Sequence, residues 1–151
     1  MAENIYIRYD YGAIAQRIES LLPTNNRNYG VMNLPQMLQH CSIQLKMALG
    51  LLPTPEPEGS FLYRTAIGRF LSLYVIPWPR NFGTPEIMNM LTNGLPVQDF
   101  DSEKAELLYL MKLIWNKEFL SPHHFYGVLN RKDWGRLIWV HLDYHLRQFN
   151  G

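Results

Sequence analysis

An all-α fold follows from three features of the sequence: apolar residues recur at three- and four-residue spacing, strand-type alternation is absent, and proline, glycine or asparagine bounds each run. With 151 residues, 47% of them hydrophobic, the chain is sized to bury one core, a single domain over residues 1–151.

The first helix is expected over 11–22, where Ile14, Ile18, Leu21 and Leu22 recur at helical spacing before Pro23, Asn25 and Asn26 end the run. A second begins at Asn33, a good N-cap, with Pro35 tolerated in the first turn. Its inward stripe is Met37, Leu38, Cys41, Leu45, Ala48 and Leu49, and Gly50 with Pro53 stops it. Residues 53–59 make a stiff polar connector. A third run, 61–75, carries Leu62, Ala66, Phe70 and Leu73 or Tyr74, and breaks at Pro77 and Pro79. Asp101-Ser102-Glu103 reads as the cap of a fourth helix through Leu107, Leu108, Met111, Ile114 and Trp115. Asn130 starts the last, with Trp134, Leu137, Ile138, His141, Leu142, His145 and Phe149 inward and an end at Asn150-Gly151. Residues 76–100 form a connection longer than compact domains normally use. Thr84-Pro85-Glu86 can cap a short helix there, through Met90 or Leu91, packed over one end of the bundle. The expected architecture is a four-helix bundle with an extra short helix in the long loop between helices three and four.

A formal net charge of +1 removes the electrostatic case for a nucleic-acid partner, and Arg131, Lys132 and Arg136 read as a solvated helix face. Residues 1–15 include Glu3, Arg8 and Asp10, so the apolar core of a signal peptide is missing, and no stretch is long enough to span a bilayer. With a lone cysteine, Cys41, the expectation is a cytoplasmic protein without a membrane partner.

Chemistry is concentrated in His141-Leu142-Asp143-Tyr144-His145. Residues four apart share a helix face, so both imidazoles can reach one ion, and they lie in an apolar stripe where an unpaired polar group is unfavourable. His40, on the inward side of the second helix, is the candidate third ligand. Asp143 projects from roughly the opposite side and reads as a surface acid, and Cys41 reads as inert filling. Gln44 and Gln148 share the ligand-facing side by spacing and can orient a histidine, while Tyr144 can donate a proton or hydrogen bond near an open coordination position. His123 and His124 read as surface or loop-packing residues, with an extra ligand or proton shuttle as the alternative. Glycine-rich phosphate loops, zinc ribbons, nucleophile elbows and inward Glu-x-x-His pairs are absent.

His40-Cys41-Ser42, the connector His123-His124-Phe125-Tyr126-Gly127, and Trp134 leading into the segment from His141 to Phe149 together resemble the DinB-like superfamily, and more closely its branch of unknown function. The resemblance covers nearly the whole chain and is most specific at the C-terminal end; His124 departs from it, standing where that branch commonly has proline. It implies a four-helix bundle in which His40, His141 and His145 bind nickel, zinc or iron. For some members it also implies transfer or isomerisation chemistry with a low-molecular-weight thiol.

Three neutral imidazoles leave an ion with an open position, which is a catalytic arrangement. The expected function is therefore a metal-dependent hydrolase or thiol S-transferase acting on a small molecule, with residues 76–100 walling the pocket. The alternative is a non-catalytic metal-binding bundle whose exposed aromatics, Tyr6, Tyr9, Tyr11, Trp78, Phe82 and Tyr126, mediate homodimer formation or partner binding.

Overall fold

The computed structural model describes residues 1–56, 59–79 and 85–151. Among these it contains five α-helices and no strand: α1 (Arg8–Ser20), α2 (Leu34–Ala48), α3 (Ala66–Phe70), α4 (Phe100–Asn116) and α5 (Arg131–Arg147). Four are long, at 13, 15, 17 and 17 residues, whereas α3 has only 5. α2 packs along α4, and α5 packs against α1, α2 and the segment after α3. Their shared core includes Ile14 and Ile18 of α1, Met37 and Leu38 of α2, Met111 and Ile114 of α4, and Leu137 and Ile138 of α5. None of these helices is long and apolar enough to cross a membrane.

Two helix starts are set by side chains visible in the sequence. Asn33 accepts from the Gln36 backbone N–H while the Gln36 side chain returns to the Asn33 N–H, closing a reciprocal cap on α2. Asn130 accepts from the Asp133 N–H to start α5. α4 starts earlier than its acidic run suggests. Asp99, not Asp101, is the cap, because its carboxylate takes both the N–H and the hydroxyl of Ser102 at 3.0 and 2.7 Å. α5 also stops before the expected Asn150, which adopts a left-handed φ of 59°.

The third run, 61–75, is not one helix. A 3₁₀ turn (Phe61–Arg64) precedes α3 and a π turn (Leu71–Val75) follows it. The junction places Gly68 against the Leu62 carbonyl, where a Cβ would lie 1.9 Å from the oxygen. Beyond it, the Ser72 hydroxyl donates to the carbonyls of Gly68 and Arg69, and the Trp78 indole N–H donates to the Ser72 carbonyl. Side-chain groups thus engage carbonyls at the irregular turn, as interruptions of the i→i−4 ladder require.

The expected short helix reduces to one 3₁₀ turn (Glu86–Met88) capped by Pro85; Thr84 lies outside the described residues. It ends because the Asn89 side chain takes the Leu91 N–H at 3.1 Å, and Met88 and Met90 then dock on Ile43 and Met47 of α2.

Two further expectations are corrected. Asp143 is 8% exposed rather than a surface acid, since α1 brings Arg17 to within 2.7 Å of one carboxylate oxygen and Arg147 lies 2.8 Å from the other. Of the proposed exposed aromatics that are described, only Tyr9 is fully exposed. Tyr6 and Tyr11 pack on Trp115, Trp78 is half-buried and Tyr126 is buried, while Phe82 lies outside the described residues. The N-terminal segment is held across α5 by the Ile5 N–H on the Gly135 carbonyl, which covers Tyr6. Arg131 and Arg136 likewise anchor neighbours: Arg131 donates to the Trp115 and Lys117 carbonyls, and Arg136 to Leu73.

Candidate metal centre

The inward stripes of α2 and α5 bring His40, His141 and His145 together, each 6% exposed or less. One nitrogen from each lies within 4.8 Å of the other two, and the ring centroids are 4.5 to 5.1 Å apart. Three histidines at this spacing can bind a metal ion.

Hydrogen bonds set which nitrogen of each ring is available. The Met88 carbonyl accepts at 2.8 Å from His40 Nδ1, so that nitrogen carries the proton and Nε2 keeps its lone pair. Gln148 Oε1 does the same for His145 Nδ1, also at 2.8 Å. The His40 and His141 Nε2 atoms then face each other at 3.1 Å. Two nitrogens about 2.0–2.1 Å from one tetrahedral ion lie about 3.3 Å apart, so the observed separation fits a shared cation. His141 Nδ1 has no hydrogen-bond partner.

Burial is the main influence on the charge of the cluster. It lowers His40 below the ordinary histidine range, against the opposing Met88 bond. It lowers His141 well below that range, helped by His145 and His40, and takes His145 down to about 3. All three rings are therefore neutral near pH 7, the state in which imidazole ligates metals. Cys41 contributes nothing comparable: burial pushes its thiol well up, and its Sγ lies 3.8 Å from Met37 Sδ.

The flanking candidates separate. Gln148 orients His145, and Gly30 makes room for it: a Cβ on Gly30, whose φ is +86°, would meet Gln148 Nε2 at 2.5 Å. Gln44 makes no hydrogen bond to the cluster; it lines a cavity beside His141, and its Oε1 has no partner. Tyr144 packs its ring on His145 and Tyr29, in an outer groove with Asp143 and Arg147.

That cavity, of about 160 Å³, is walled by Trp78, Phe125, Tyr126, Met88 and Leu137 among others, with His123, His124 and His141 in its lining. His123 and His124 are thus buried, packing within their loop as one of the two expected placements has it and not lying on the surface. Reciprocal backbone bonds of 2.8 Å between His123 and Gly127 close a tight turn, with Gly127 at a φ of 68°, and the two rings stack inward 4.2 Å apart. His123 Nδ1 accepts from the Phe125 N–H at 3.1 Å. Burial lowers both rings, His124 to about 4. Sequence reasoning missed the Met88 carbonyl, because a backbone acceptor leaves no mark in residue type. The inward turn was signalled only by Gly127 after two aromatic residues.

Fold and site define an all-helical protein with a buried three-histidine cluster, one of whose members faces an apolar cavity. Residues 85–151, which include His141 and His145 but not His40, match the model of a family described as protein of unknown function (DUF1569). No curated protein and no solved structure matches the chain.

Proposed function

We propose that the chain is a metal-dependent enzyme of the DinB-like superfamily, in which His40, His141 and His145 hold one divalent nickel, zinc or iron ion and the adjoining cavity receives a small-molecule substrate. The observation that carries this reading is the pair of Nε2 atoms 3.1 Å apart, with His40 and His145 fixed by protons on their opposite nitrogens. A bound ion of this kind supplies a Lewis acid that polarises a carbonyl and lowers the pKa of water or of a thiol, which suits a hydrolase or a low-molecular-weight-thiol S-transferase. The chain's own part is positional. Met88 and Gln148 hold protons at Nδ1 of His40 and His145, and the walls of the cavity limit water around the site.

His141→Ala tests the reading: metal and turnover are lost together while the helical circular dichroism is kept. Turnover that survives complete loss of metal contradicts it. Gln148→Leu removes the acceptor from His145 Nδ1 and is expected to weaken metal affinity about 10- to 100-fold in isothermal titration, by the usual effect of losing a ligand-orienting partner.

A second reading, association through an apolar surface, is favoured by the irregular segment around α3. Phe61, Leu62, Ile67, Phe70, Leu71, Val75 and Ile76 are all exposed there, an apolar load that isolated chains seldom present to water. In this reading the surface meets a second copy of the chain. Ile67→Glu combined with Phe70→Glu then converts a dimer to a monomer in sedimentation equilibrium. An unaltered mass, or a wild-type monomer at high concentration, contradicts it.

A further inference from the structure

The histidine cluster and the cavity meet. His141 belongs to both, Met88 lines the cavity while its carbonyl holds His40, and the Trp78 ring on the cavity wall lies 6.3 Å from the His141 ring. At about 160 Å³ the cavity is close in size to an apolar cavity of about 150 Å³ known to accept benzene. Trp78, Phe125, Tyr126 and Leu137 give it walls that suit a ring. Ile76 also lines it and is 56% exposed, so the cavity opens to solvent. Few polar atoms are free there. The Ser72 hydroxyl is committed to the carbonyls of Gly68 and Arg69, His123 Nδ1 accepts from the Phe125 N–H, and the unpaired atoms of His124 and Gln44 are sealed off from the cavity.

Charge can come from one source. Among the described residues, none of those lining the cavity is Lys, Arg, Asp or Glu, and the one grouping able to share an ion consists of three histidines, neutral near pH 7. A divalent ion held by them keeps its full charge, which is unfavourable in buried surroundings until an anion joins it. We infer that the site takes a single-ringed organic anion, its charged head at the ion and its apolar ring in the cavity against Trp78 and Phe125. The two halves of the ligand answer different features: the ion is the counter-charge of the head, and the apolar walls remove the ring from water. A second charge, carried on the ring, would find no partner among the described lining residues. The inference names a substrate class for the proposed metal site and rests on that reading.

Isothermal titration of the zinc-loaded full chain at pH 7 with benzoate, acetate and benzamide tests it. Acetate carries the head without the ring, and benzamide carries the same ring with an uncharged head. One benzoate per chain is expected, bound at least about 10-fold tighter than acetate, the effect of withdrawing roughly 60 Å² of apolar surface from water. Benzoate is also expected to bind at least about 10-fold tighter than benzamide, and this second preference disappears in chelator-stripped protein, where the anion has lost its counter-charge. Nuclear Overhauser contacts from the benzoate ring protons to the methyl groups of Met88 and Leu137 are expected in the zinc-loaded chain, since both residues line the cavity. Absence of saturable benzoate binding, acetate or benzamide binding as tightly, a preference over benzamide that survives chelation, or ring contacts confined to other methyl groups overturns the inference. Every comparison uses the wild-type chain, so no variant has to fold. A chain that takes up no zinc loses the metal reading and this inference together, whereas one that takes up zinc and fails any comparison loses this inference alone.

Discussion

Zinc at about a thousandfold excess over its dissociation constant is expected to raise the thermal midpoint of this chain by roughly 8–16 °C. Binding to the folded state alone contributes about 4 kcal/mol at that excess, and a domain of this size gains about 2–4 °C per kcal/mol. The shift needs all three histidines. His141→Ala leaves two imidazoles and is expected to weaken affinity by more than about 100-fold, beyond what loss of an orienting partner does, so at the same zinc concentration, now at most about ten times the dissociation constant, the shift falls to about a third or less. Removing His141 relieves a buried ring with an unpartnered Nδ1 but leaves a cavity and takes the partner from His40 Nε2, so the metal-free midpoint of the variant also falls, and its zinc shift is read relative to that lower midpoint. A variant that keeps the full zinc shift would show that zinc binds elsewhere.

Acid is expected to unfold the protein well before its carboxylates are all protonated. In the unfolded chain the histidines titrate near 6.5, whereas burial takes His124 to about 4 and His145 to about 3 in the folded chain. Between those values and 6.5 the unfolded state binds more protons, so stability is full above pH 6.5 and is lost as pH falls toward 4 and 3. Each unit of depression corresponds to about 1.4 kcal/mol, so two such groups remove on the order of 5 kcal/mol by pH 4, a large part of the stability of an ordinary domain. His40, His123 and His141 are lowered too and act in the same direction. Glu103, whose carboxyl burial raises, acts in the opposite direction as a single group. Urea midpoints from circular dichroism at pH 7 and pH 4.5 check this: a steep fall is expected, and equal midpoints would contradict the buried neutral histidines. Protons compete with metal for the same lone pairs, so zinc stabilisation should vanish over the same range.

The residues that meet at the candidate site were legible because helices are periodic. His141 and His145 share a face by spacing alone, and His40 falls on the inward side of a helix whose Asn33 cap and Met37, Leu38 and Leu45 stripe fix its rotation. Gln148 was legible for the same reason. Features that depend on another segment's path were not. Asp143 is buried because α1 delivers Arg17 to it, and no property of residues 141–145 encodes that meeting. His123 and His124 turn inward because the chain reverses at Gly127. The run 61–75 has helical periodicity, yet the contact of Gly68 with the Leu62 carbonyl and the donors Ser72 and Trp78 divide it into three kinds of turn.

The central claim is that one ion sits among His40, His141 and His145. X-ray absorption at the metal edge tests it most directly, on untagged protein stripped with chelator, loaded with zinc and desalted. The account predicts one zinc per chain with three imidazole nitrogens at about 2.0–2.1 Å and no sulfur neighbour. Zinc that washes away on desalting, or a shell containing the Cys41 sulfur, would contradict it.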